Sequence, residues 1–517
     1  MHEEFDAVDP SGLRLCNTIS LLVPAQTYHI NCGWTKEISL PVVEEYTCRL
    51  LLALQEVLPG DIQEYFGLSK REAEVLVDTL VHNKLAVYSN DGHLAPSPML
   101  LDRTKGNPNV AASLTKYEEC IEDPVIELLT LSVMPKSRYS SSRFGLYEIP
   151  IPLVHKSIGT NQIAETFGSQ YRAYLDTTRQ QDRESKRKRL YKVGACEMGK
   201  PVQIPVDIDI WLLPSSAGDV QVIKRASERV GDIRQRPLSI ELESRISDYL
   251  SEMKLPTGGM SLSEFCRVFD DTVLLRYVDE RGLDSNRWLR DHHHRKTGYN
   301  DSQTRAMIGP VYAHNNRLTI TRILQELAKD WEDGATHNAL WLSSSVPLWA
   351  ANGALLTEFC AKVAIHLSEE RNTHGKITAL LPADDRNDIH RLRRIYHARI
   401  PNGLGFKGQD LQDKVEVFLI PSQLAVVQYH FQPSQESAVT VPIGYLTHDP
   451  ERLKKIESFL DSRLQDRGNP EVLWTQKEGN DVENLLGASR MEALYIEVSS
   501  REAAHKPRVI IKKPRTW

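Results

Sequence analysis

The chain has 517 residues, too many for one hydrophobic core, and a length of this order implies roughly three domains. Hydrophobic residues make up 41% and charged ones 26%, an ordinary globular balance, and no apolar run approaches the ~20 residues that cross a bilayer. The formal net charge of −6 excludes phosphate neutralisation over the whole surface and confines any nucleic-acid contact to local basic patches.

The acidic start MHEEFDAVDP lacks the basic-then-apolar order of a signal peptide, so a cytoplasmic chain with no membrane partner is expected. Seven cysteines are scattered singly with no CxxC pair, which points to reduced, packed thiols rather than to zinc or a disulfide framework. Residues 12–40 alternate around Leu13, Leu15, Ile19, Leu21 and Val23 and predict a strand or two, so residues 1–40 are an N-terminal strand segment. Over 41–105 the period becomes helical. EEYTCRLLLALQEV is stopped by Pro59-Gly60, DIQEYFGL is a short second helix ending at Gly67, and SKREAEVLVDTLVHNKL is a third. AVYSNDGHLAPSP then reads as a hairpin turning at Asn90-Asp91-Gly92.

Residues 106–237 form a mixed α/β middle domain, with a helix over 171–192 ending in the basic run KRKRLYK and strands from Lys192 onward. Asp207 and Asp209 share one strand face there and are expected to be exposed. Residues 238–305 are a helical linker region, ending in the polar stretch DHHHRKTGYNDSQ. Over 306–465 helices alternate with strands before three consecutive strands, KVEVFLIP, LAVVQYHF and AVTVPIGYLT, and a closing helix. Residues 466–517 are an irregular extension with the basic tail VIIKKPRTW.

The three helices and hairpin at 41–98 resemble the winged helix-turn-helix family of bacterial regulators. Ser69 and Glu72 supply an S-x-x-E capping box for the third helix, and Val75, Leu76, Leu80 and Val81 can pack against the first. The resemblance implies that the third helix enters a DNA major groove. It places Ser69, Lys70 and Arg71 at the groove, His82 and Lys84 at the helix end and His93 in the wing. Glu72, Glu74 and Asp78 oppose a polyanion, and many such modules serve protein contacts instead. Further basic candidates are Lys186, Arg187, Lys188 and Arg189, and Arg393 with Arg394, where Tyr396 either stacks on a base or packs in the core.

The order of elements over 306–465 resembles one half of the phospholipase D-like fold. That family implies a nucleophilic histidine in H-x-K-x4-D, with lysine stabilising the phosphate. By order, LAVVQYHF is the motif strand, yet only His430 stands near the required place. His294, Lys296 and Asp301 fit the spacing but precede the α/β region and lack its apolar flanks. No P-loop, dinucleotide fingerprint, H-E-x-x-H or G-x-S-x-G is present, and no cofactor is expected.

The expected fold is therefore multidomain α/β: an N-terminal winged helix, a mixed α/β middle region and a C-terminal phospholipase D-like α/β domain. The expected function is non-catalytic DNA binding or scaffolding within a protein assembly. By analogy of architecture, that is an accessory subunit of a bacterial DNA-processing or antiviral defence system. A metal-independent nuclease and a pure protein-interaction subunit are the alternatives.

Overall fold

The computed structural model describes residues 13–134, 145–178, 188–215, 220–230, 234–280, 282–331, 337–367, 376–408, 413–435, 438–476 and 481–496. The protein is mixed α/β and divides into two compact units. One comprises residues 25–138 and 152–201, the other residues 1–24, 139–151 and 202–517.

In the first unit, the strand Arg14–Ser39 contributes its residues from Ala25 onward, pairing antiparallel with Ser113–Glu122 from Ile30↔Glu122 to Ser39↔Ser113. The helix Thr160–Thr178 lays Ile163, Phe167, Tyr171, Tyr174 and Leu175 on Tyr28, Ile30, Cys32 and Ile126, one helical stripe on one strand face. A second core belongs to the helices Val42–Leu54, Pro59–Phe66 and Lys70–His82 with the hairpin Ala86–Tyr88 and Leu94–Pro96. Cys48, Leu51, Leu52, Ile62, Leu76, Val77, Leu80 and Leu94 meet there. Two expectations are corrected. Pro59, read as a stop, opens the second helix, because proline's missing N–H costs nothing in a first turn. Val75 is exposed, and Val77 takes its place in the core with Leu76 and Leu80, while Val81 is only partly buried against it.

The second unit is built on an eight-stranded mixed sheet. Its order is Thr304–Ile308, Val441–Thr447, Leu424–Phe431, Val415–Ile420, Asn338–Leu342, Lys376–Pro382, Asn402–Phe406 and Glu471–Trp474. Asn338–Leu342, Lys376–Pro382 and Asn402–Phe406 run parallel, joined through the helices Ala354–His366 and Arg386–Tyr396. Those helices and His314–Leu327 cover one face, where Trp341, Phe359 and Phe418 pack edge to face. On the other face Phe265 meets Tyr429, and Phe459 of the helix Pro450–Leu464 meets Phe269. Burial on both faces explains why Leu424–Phe431 is buried at every position, the polar Gln428 and His430 included.

The same unit contains the strand Lys188–Pro214 from Val202 onward, paired antiparallel with Val220–Val230. Asp207 and Asp209 are buried there, not exposed. Ser20 Oγ donates to Asp207 at 2.6 Å and Thr18 Oγ1 to Asp209 at 2.8 Å, so hydroxyls from the neighbouring strand replace water around both carboxylates. No helix among the described residues is long and apolar enough to cross a membrane.

Candidate nucleic-acid interface

The helix Lys70–His82 begins at Ser69, whose extended backbone turns the chain into the first turn. Glu72 N donates to Ser69 Oγ at 3.4 Å, and Glu72 Oε2 accepts from Ser69 N at 2.9 Å and Ser69 Oγ at 2.7 Å. The hydrogen bonds from the Ser69 side chain and backbone hold the Glu72 carboxyl below its usual range. The expected capping box is thus formed as written in the sequence.

Lys70 and Arg71 are both exposed in that first turn. A cation there faces the positive end of the helix dipole, an arrangement worth roughly 0.3–1 kcal/mol against the helix. Helix stability therefore gives no reason for these two residue types. Glu74, Val75, Asp78 and His82 continue the same exposed surface. The hairpin turns at Gly92, whose φ of 79° favours glycine, and His93 O accepts from Ser89 N at 2.8 Å. His93 in the wing is partly buried, while Lys84 at the helix end is exposed.

No protein-family model and no curated protein matches the chain. Among solved structures, an archaeal chromatin protein, TrmBL2, whose structure shows a novel mode of DNA binding, is similar with a TM-score of 0.18 and 11% identity. The match covers 45% of this chain and 74% of that one. A likeness of that size fixes neither fold nor function.

The other basic candidates separate. Lys188 and Arg189 stand on a strand rather than the expected helix, so they point to opposite faces. Lys188 Nζ sits 3.9 Å from the ring centroid of Trp34, a cation–π contact that occupies one of them. Lys186, Arg187 and the basic tail at 509–517 lie outside the described residues. Arg393 and Arg394 are exposed on the helix Arg386–Tyr396. Tyr396 is core: its hydroxyl donates to Trp349 O at 3.1 Å, and its ring packs edge-on against Trp349. Arg399 is buried, donating to the carbonyls of Ala350, Asn352, Gly145 and Ile395, and so anchors loops rather than ligands.

The structure places the two histidine candidates in different surroundings. His294 and Lys296 are exposed in the turn after the helix Ser285–His293, while Asp301 accepts from Gln303 N at 3.0 Å and lies 3.7 Å from Arg452 Nε. On the strand expected to carry the motif, His430 is buried with Nε2 2.6 Å from Glu416 Oε2 and Nδ1 3.2 Å from Thr440 Oγ1. Trp341 Nε1 holds the other Glu416 oxygen at 2.7 Å. Both ring nitrogens of His430 are engaged by buried side chains. Glu416 lies in KVEVFLIP, and its alternation with apolar neighbours reads only as a strand, so the sequence carried no sign of this pair.

Proposed function

We propose that the protein is a non-catalytic nucleic-acid-binding accessory protein. A winged helix over 41–98 docks on duplex DNA, and an α/β unit related to the phospholipase D-like fold serves as its scaffold. The observation that carries this reading is the exposure of Lys70 and Arg71 at the start of a capped helix, where they work against the helix dipole. The engaged nitrogens of His430 support the non-catalytic half.

The test is fluorescence anisotropy with duplex DNA over a salt series, comparing the natural chain with Lys70→Glu/Arg71→Glu. The expected result is a loss of at least tenfold in affinity at low salt and a salt slope smaller by about two. Unchanged binding in the double variant overturns the reading.

A second reading is favoured by one observation. Val75 is 59% exposed and Tyr65 70% exposed, and Val75 stands beside Glu74 and Asp78 on the same helix. An apolar surface ringed by carboxylates suits a basic protein partner. No DNA binding by the natural chain at low salt, with a stable partner lost on Val75→Asp, supports that alternative.

A further inference from the structure

In the first unit the strand Ser113–Glu122 pairs on one side with the strand Arg14–Ser39, and no described strand pairs with its other side. Beyond that ladder, no main-chain group of residues 114–119 hydrogen-bonds to a described residue. An antiparallel strand turns its N–H and C=O groups alternately to either side, so about half of those over 114–119 face outward with no partner strand.

Folds close such an edge with a proline, a bulge or a covering element. The strand SLTKYEECIE contains no proline, and its ladder runs from Ile30↔Glu122 to Ser39↔Ser113 without a register shift. The exposed Tyr117 ring leans inward over the neighbouring strand instead of across the edge. A Cβ at Gly33 would meet the Tyr117 hydroxyl at 2.5 Å, and the ring packs edge-on against Tyr191 with centroids 5.8 Å apart.

The charges on the strand say what the edge accepts. Lys116 and Glu118 share one face, with Lys116 Nζ 2.5 Å from Glu118 Oε1, and Thr115, Tyr117, Glu119 and Ile121 share the other. A lysine alone would repel a second copy of the same edge, whereas a lysine and a glutamate two residues apart make the edge self-complementary. A two-fold axis perpendicular to the sheet keeps each side chain on its own face, so the axis must pass through a residue. With the axis at Tyr117, Lys116 of each copy faces Glu118 of the other, Thr115 faces Glu119 and Ser113 faces Ile121. Moved by one residue, the axis sets Lys116 against Lys116 or Glu118 against Glu118, and like charges directly opposite destabilise a ladder. Charge therefore selects one register, a ladder of residues 113–121 that is about 30 Å long at ~3.4 Å per residue.

We infer that the chain self-associates through this edge, two copies of Ser113–Glu122 pairing antiparallel about a two-fold axis at Tyr117 to make one continuous sheet. Self-association of this kind does not depend on DNA binding.

The full chain is followed by sedimentation velocity across a dilution series, without DNA. A monomer–dimer equilibrium is expected. Lys116→Glu should weaken it at least tenfold with an unchanged circular dichroism spectrum, and Lys116→Glu/Glu118→Lys should restore it, because the reversed pair is again complementary. The register is read by oxidative cross-linking. Tyr117→Cys sets each new thiol opposite its counterpart and should give a disulfide-linked dimer above the level of the natural chain, while Glu119→Cys, which faces Thr115, should not. A chain that stays monomeric at every concentration overturns the inference. So does a dimer indifferent to Lys116→Glu, or one that Glu119→Cys links as readily as Tyr117→Cys.

Discussion

His292 shows how a single side chain records its surroundings. Burial first, and then the charges of Arg14 and His293, push its pKa down from 6.5 to about 3. Its Nδ1 lies 3.0 Å from Thr297 Oγ1 and its ring stacks on Trp288, contacts that suit a neutral imidazole. In the unfolded chain the same ring takes up a proton near 6.5. Between these values the unfolded state binds the extra proton and the folded state does not, so stability falls as pH drops from about 6.5 toward about 3. Above 6.5 the ring is neutral in both states and contributes no slope. Urea denaturation at pH 7, 5 and 4 should therefore show a steeper loss for the natural chain than for His292→Gln. Equal slopes would mean that His292 is protonated in the folded state.

At the scale of an element, the capping box separates folding from binding. Ser69→Ala removes an acceptor for the Glu72 amide and a donor to the Glu72 carboxylate, and should cost about 1 kcal/mol, read as a lower unfolding midpoint. On the proposed reading, DNA affinity per folded molecule should change less than threefold, because Lys70 and Arg71 remain in place. A larger loss of affinity would make Ser69 itself a contact. This box was legible because its partners are three residues apart and the chemistry is local. The hairpin was legible for the same reason, with Gly92 supplying the turn. Elements whose evidence is long-range were not. Asn402–Phe406 is a strand of sequence NGLGF, whose glycines argue against a strand. At Gly403 an added Cβ would strike the ring of Trp474 at 2.5 Å, so the glycine serves a contact 71 positions along the chain. The basic run from Lys188 has helical composition, yet it opens a strand of 27 residues whose partners lie elsewhere in the sequence. Asp207 and Asp209 read as exposed because nothing local announces the hydroxyls of Thr18 and Ser20.

For the whole molecule, the decisive fact is that the two compact units are not consecutive. The chain passes between them after residues 24, 138, 151 and 201, so the strands Arg14–Ser39 and Lys188–Pro214 each serve both. Hydrophobic periodicity identifies elements but carries no record of which distant segment completes a core. Each unit nevertheless has its own buried apolar cluster, Leu80 with Leu51 and Ile62 in one, Leu356 with Trp341 and Phe418 in the other. Separate cores give separate cooperativity unless the units are strongly coupled. Leu80→Ala and Leu356→Ala each empty a fully buried site and should cost roughly 2–5 kcal/mol. Urea unfolding followed by circular dichroism and by tryptophan fluorescence should then resolve two phases, with each substitution lowering the midpoint of a different one. If both variants shift one common transition equally, the shared strands bind the units into a single folding body, and the four crossings outweigh the separate cores.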